Sequence, residues 1–235
     1  MRKPSIPKVI KPLRALVFDA YGTLFNVHSV IATSEELFPG NGAALSQLWR
    51  TKQLEYSWLR SLMGRYVDFN QVTREALQYA CKSLGLAYSD AALLQLDNAY
   101  RTLALFPETL PTLQQLRQQQ PGIKLAILSN GAPEMLNAVV AHNALDVLLD
   151  AVLSVDEVGI FKPDPRVYRL ACDRLQLDRG QVGFVSSNGW DAAGAKAFGF
   201  TTFWINRNDA PVEALGVTPD RVMKSLAELP ALLAQ

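Results

Sequence analysis

Residues 14–23 read RALVFDAYGT, and this stretch decides the fold. Arg14 to Asp19 has the make-up of a short buried strand, apolar with the β-prone Val17 and Phe18, and the turn-forming Tyr21-Gly22-Thr23 stops it. The strand therefore ends on a carboxylate, Asp19. Gly22 allows a tight turn behind it, and the Thr23 hydroxyl can hydrogen-bond back to the aspartate. Taken alone, this is either an ordinary Asx turn or a reactive group held at a strand tip.

Outward from that strand the pattern changes. From about Ser29 to Leu105 the periodicity is helical and fits four helices, punctuated by Gly40-Asn41-Gly42, Met63-Gly64 and Leu84-Gly85-Leu86. Helix and strand then alternate: helix Glu108–Gln120, strand Lys124–Leu128, helix Pro133–Asn143, strand Ala151–Ser154, helix Pro165–Leu175, strand Val182–Val185, helix Ala192–Phe198 and strand Thr201–Ile205. A short helix over Leu226–Leu233 is expected to pack on the sheet. The alternation predicts an α/β fold, a Rossmann-like doubly wound parallel sheet with an all-helical cap subdomain inserted after the first strand. The expected division is a core of residues 1–27 and 106–235 and a cap of residues 28–105. Ligands of open parallel sheets bind beyond the carboxyl ends of the strands. Polar residues gather at those ends here: Asp19, Thr23, Ser129, Asn130, Lys162, Ser186, Asn188 and Asp191.

Composition narrows the partners. The 235 residues are 49% hydrophobic, enough for a real core, and 23 Lys and Arg against 22 Asp and Glu leave a net charge of +1. Near neutrality supplies no long-range field for nucleic acid or an anionic membrane, so a small molecule is the expected partner. Cys81 and Cys172 are too few for a disulfide framework, which fits a reducing cytoplasm. The basic start, with Arg2, Lys3, Lys8, Lys11 and Arg14, is interrupted by Pro4, Pro7 and Pro12. It has no apolar segment of the signal-peptide kind, and it is expected to be a frayed basic tail. His28 and His142 show no metal-ligand pairing with each other or with the cysteines.

Four blocks carry chemistry: FDAYGTLF at 18–25, ILSN at 127–130, FKPDPRVY at 161–168 and SSNGWD at 186–191. The first three, in this order, resemble motifs of the haloacid dehalogenase superfamily, and the fourth resembles that of the L-2-haloacid dehalogenases. With the helical insert, which looks like that family's cap, the resemblance spans nearly the whole chain. It implies a hydrolase in which Asp19 attacks carbon and forms an ester that water then cleaves, with inversion at Cα. It also implies that Ser129 and the backbone N–H groups of Ala20 and Tyr21 hold the substrate carboxylate, while Asn130 faces the departing halide. Arg50 would be the halide-abstracting cation, Phe69 and Trp190 pocket walls, and Tyr168 a contact of the catalytic lysine, Lys162. A homodimer formed through the insert is the family's habit.

Each of these residues also has a plainer reading. Lys162 could be a solvated loop lysine, Ser129-Asn130-Gly131 a simple turn, and Phe69, Trp190 and Tyr168 core aromatics. Asn188 or Asp191 could merely cap the following helix. Arg50 cannot be singled out by sequence from Lys52, Arg60 and Arg65. Ser186, Asn188 and Asp191 fill an S-x-N-x-x-D pattern; which residue is the base for ester hydrolysis does not follow from sequence, and Asp191 is the candidate.

Chemistry separates the rival activities. Superfamily phosphatases carry Asp-x-Asp on the first loop, and the second Asp protonates the leaving oxygen; here that position is Tyr21. A hard divalent cation wants several anionic oxygens, and Asp19 with Asp191 alone would serve it poorly. A halide needs no proton to leave, and an ammonium from Lys162 could keep Asp19 ionised. The expected enzyme therefore uses no metal and no cofactor. A Mg-dependent phosphatase and a non-catalytic α/β module are the alternatives, the latter disfavoured by the polar set at the strand ends.

Overall fold

In the computed structural model, residues 12–234 are described; the basic stretch containing Arg2, Lys3, Lys8 and Lys11 lies outside them. The first strand, β1 (Ala15–Phe18), has all four side chains fully buried, as a central parallel strand covered on both faces must. Four helices follow: α1 (Val30–Leu37), α2 (Gly42–Leu62), α3 (Phe69–Ser83) and α4 (Asp90–Arg101). The sequence accounts for their ends. Asp68 and Ser89 cap α3 and α4 by accepting the amides of Gln71 and Ala92. Helix α2 stops where Gly64 takes φ +65°, which lets the Arg65 amide reach the Arg60 carbonyl and the Gly64 amide that of Ser61.

Alternation then runs α5 (Thr109–Gln119), β2 (Lys124–Ser129), α6 (Pro133–His142), β3 (Ala151–Ser154), α7 (Pro165–Leu175), β4 (Val182–Ser186), α8 (Gly189–Phe198), β5 (Thr201–Ile205), β6 (Arg221–Met223) and α9 (Leu229–Leu233). All neighbouring strands pair in parallel, in the order β3-β2-β1-β4-β5-β6. The expected doubly wound α/β sheet is what the chain forms. The right-handed rule for parallel crossovers, applied to this strand order, assigns α5 and α6 to one face and α7 and α8 to the other. The strand order reverses between β1 and β4, where the crevice at the carboxyl ends opens for a ligand.

Two details differ from the sequence reading. β6 was not expected; it is a three-residue edge strand with Arg221 and Val222 exposed, so it carries no buried apolar run to betray it. The C-terminal helix starts at Leu229, after a single 3-10 turn over Leu226–Glu228, and it packs against α5 with Leu226 and Leu229 buried. The inserted helices share one apolar core with the sheet: Trp49, Phe69, Leu96 and Tyr100 join Phe18, Leu24 and Phe25.

Candidate active site

The site is built where β1 and β4 end side by side. The Asp19 amide still bonds to the Val185 carbonyl at 2.9 Å, so the carboxylate leaves the sheet in strand register. The chain then turns back on itself, and the Ala20 carbonyl accepts the amides of Thr23, Leu24 and Phe25 at 3.2, 2.9 and 3.1 Å. Gly22 adopts φ +87°, a conformation L side chains rarely take. Neither the Ala20 nor the Tyr21 amide finds an acceptor among the described residues.

Asp19 is only 6% exposed. Its Oδ2 accepts from Thr23 Oγ1 at 2.9 Å and Asn188 Nδ2 at 2.8 Å, with Ser186 Oγ at 3.5 Å. Its Oδ1 faces Lys162 Nζ at 3.1 Å. Lys162 is itself 1% exposed, so the solvated-loop reading falls. Its ammonium also donates to Asp191 Oδ2 at 2.8 Å and sits 5.0 Å from the Phe184 ring centre. Burial works against the Lys162 charge, but the two carboxylates outweigh it and raise its pKa. Asp191, fully buried, is pushed up to about 6, chiefly by burial. One ammonium between two carboxylates leaves the cluster short of positive charge. Asp191 is the member driven toward protonation.

Tyr168 joins the network through Asp191. Its hydroxyl donates to Asp191 Oδ1 at 2.8 Å, and the Lys162 ammonium donates to Asp19 and to Asp191 Oδ2, so one carboxylate links the phenol to the lysine. Burial and the Asp191 charge raise the Tyr168 pKa well above its ordinary value, so it remains a donor. Asn188 stands at the N-cap position of α8 without capping it, because its side chain is spent on Asp19. Asp191 lies in the first turn of α8, where the helix dipole favours an anion. That helix begins at Gly189, earlier than the expected Ala192, and so places Trp190 and Asp191 on its first turn.

The remaining expected residues lie around this network. Asn130 accepts the Lys162 amide through Oδ1 at 2.9 Å, which leaves its NH₂ end available; the Ser129 hydroxyl accepts the Gly131 amide at 3.1 Å. Tyr21 is packed beside Phe69, Phe25 and Tyr100, at ring separations of 6.3, 6.4 and 6.1 Å. Arg50, half-buried on α2, is close enough to act electrostatically on the Tyr21 and Tyr100 hydroxyls. Trp190 meets Trp58 of α2 edge-on at 5.3 Å. The Tyr21 hydroxyl and both of these indole N–H groups are buried donors without an acceptor among the described residues.

Sequence reasoning missed Ser187, Trp58 and Arg207. The Ser187 amide bonds Thr23 Oγ1 at 2.8 Å and its hydroxyl the Gly22 carbonyl at 2.6 Å. Arg207 stands two residues past the end of β5, so the strand-end rule that picked out the others could have found it. Among the described residues, no group of three or more His, Cys, Asp or Glu side chains is gathered to hold a metal ion. No helix among them is long and apolar enough to cross a membrane.

This arrangement can press a buried, poorly solvated carboxylate against an electrophile, with an ammonium at its flank and a second carboxylate behind the ammonium. Comparison with known proteins agrees. A family model, haloacid dehalogenase-like hydrolase, matches residues 13–199. The chain is 48% identical over 220 residues to (S)-2-haloacid dehalogenase H-109 of Pseudomonas putida, covering 94% of this chain and 97% of that protein. It is 51% identical over 214 residues to the (S)-2-haloacid dehalogenase of Pseudomonas sp. strain YL, covering 91% of each. The solved L-2-haloacid dehalogenase of Xanthobacter autotrophicus with chloropropionic acid covalently bound superposes with a TM-score of 0.88 at 43% identity, over 94% of this chain and 98% of that one. With motifs, sheet order and buried carboxylate–ammonium network all in agreement, the chain belongs to the haloacid dehalogenase-like hydrolases, in the branch of the (S)-2-haloacid dehalogenases.

Proposed function

We propose that this enzyme hydrolyses small (S)-2-haloalkanoates to (R)-2-hydroxyalkanoates and halide through an ester on Asp19. The observation that carries the proposal is the buried Asp19 carboxylate, held by Thr23 and Asn188 and charge-balanced by Lys162. An Asp19 oxygen forms a bond to Cα as the carbon–halogen bond breaks, and the halide leaves with its electron pair. The free amides of Ala20 and Tyr21, with the Ser129 hydroxyl, bind the substrate carboxylate. Arg50 and the Asn130 NH₂ group receive the halide, inside walls formed by Tyr21, Phe69 and Trp190. Water then adds to the ester carbonyl of Asp19, giving up one proton to Asp191; as the carbonyl re-forms the alkoxide leaves with its bonding pair and takes that proton, Asp19 releases the second proton, and the hydroxy acid departs with its Cα untouched. One displacement at Cα is one inversion. Residues 28–105 act as the cap that closes this cleft, and residues 1–27 with 106–235 as the core that carries the nucleophile.

Single-turnover hydrolysis in heavy-oxygen water tests this directly. Label entering Asp19 before product supports the ester; label entering product with none on Asp19 refutes it. Halide release should occur with (S)- but not (R)-2-chloropropionate and should be unchanged by chelator, which a Mg-dependent phosphatase would not tolerate. Asp19→Asn should lower turnover roughly a thousandfold or more.

A further inference from the structure

The structure assigns a positioning role to Arg207, a residue outside every motif that marks the site. Its guanidinium donates through Nη1 to the Gly22 carbonyl and through Nη2 to the Thr23 carbonyl, both at 3.1 Å. The rest of its fork is held by Glu108 Oε1, from Nη2 at 2.9 Å and Nε at 3.3 Å, and the group lies 3.7 Å over the Phe106 ring. Ser187 places a second donor on the Gly22 carbonyl at 2.6 Å.

These contacts fix peptide planes, and the consequence can be followed bond by bond. Arg207 holds the carbonyls of the Gly22–Thr23 and Thr23–Leu24 peptides, so the N–H groups of Thr23 and Leu24 point the opposite way, onto the Ala20 carbonyl. Fixing the Ala20 carbonyl fixes the other end of its own peptide plane, the Tyr21 N–H. That N–H is one of the two free amides to which the proposed function gives the substrate carboxylate. The same turn sets Thr23 Oγ1 against Asp19 at 2.9 Å. Arg207 touches no reacting atom. It acts through the backbone, and only a planar fork reaches two carbonyls and a carboxylate at once.

The inference rests on the proposed function only for the identity of the substrate, and two measurements keep them apart. Arg207→Met retains the stem over Phe106 and loses the fork; Arg207→Lys retains the charge beside Glu108 and loses the fork. In single-turnover consumption of (S)-2-chloropropionate by excess enzyme, loss of folded protein lowers the amplitude, whereas misplacement lowers the rate constant. Both variants should show a rate constant reduced about tenfold or more. Hydrogen exchange of the Gly22, Thr23, Leu24 and Phe25 amides should accelerate about tenfold, with the β2 amides unchanged. A rate constant within about twofold of the parent in Arg207→Met, or full recovery in Arg207→Lys, overturns the role. Should the parent enzyme consume no 2-haloacid, the proposed function fails, and unchanged loop exchange in both variants would still refute the clamp.

Discussion

At the scale of single residues, the charge pattern sets the behaviour. Asp191 is the carboxylate that burial penalises, lifted to about 6 while Lys162 stays charged beside it. In its proposed role as base Asp191 works only when ionised, so hydrolysis of the Asp19 ester should rise with pH and level off, with its midpoint below about 6 because esterification removes the Asp19 charge that helps to raise Asp191. Asp191→Asn should abolish that limb, measured by quenched-flow decay of the ester. The Tyr168 hydrogen bond favours the ionised form of Asp191. Tyr168→Phe should therefore shift the limb to higher pH. It also leaves a buried carboxylate oxygen short of a donor, a loss of about 1–3 kcal/mol in urea unfolding. The site residues were legible as types at strand ends, but their partners were not. Tyr168 is on a helix and Asp191 on another, and only their packing shows that the phenol hydrogen-bonds Asp191.

At the scale of elements, helix α8 shows how close packing builds the site. Gly194 lies where α8 crosses α7, and a Cβ there would stand 2.5 Å from the Tyr168 oxygen and 2.6 Å from Pro163 Cβ. In an open helix Gly→Ala is worth about 1 kcal/mol of stability. Here the overpacking cost of about 1–3 kcal/mol should win, because Tyr168 is held to Asp191 and Pro163 is rigid. Gly194→Ala should lower the urea midpoint and shift the Asp191 limb in the same direction as Tyr168→Phe. The strands and helices of the core were readable because their apolar runs are continuous and their ends carry Asp, Pro and Gly. All five expected strands begin and end within a residue of expectation for that reason. β6 was not readable, since an exposed edge strand needs no apolar signature.

At the scale of the whole molecule, the inserted helices are tied to the core by few polar contacts around the cleft. The Tyr66 hydroxyl donates to Asp156, the Asn70 amide to Glu134, and the Phe161 amide to Ser61 Oγ at 3.2 Å. Tyr66 also packs its ring on Phe161 at 4.8 Å, a contact that Tyr66→Phe keeps. Losing one such bond is worth about 1 kcal/mol, so that variant should raise KM about fivefold while leaving the saturated single-turnover rate unchanged. A fall in that rate instead would show that Tyr66 positions the reacting groups.

The amino-acid sequence alone settled the α/β class, the place of the inserted helices and the carboxylate that ends the first strand. Those follow from local matters: hydrophobic period, turn chemistry and a carboxylate at a strand tip. It could not say which charges meet. Lys162 and Asp19 are 143 positions apart, and their 3.1 Å contact exists only because β1 and β4 pair while the loop after β3 folds across their ends. Arg207 and Gly22 are separated further still, and the clamp between them depends on β5 ending beside the first turn. Burial and charge pairing are properties of the packed chain, so the electrostatics of the site were decided by the tertiary structure.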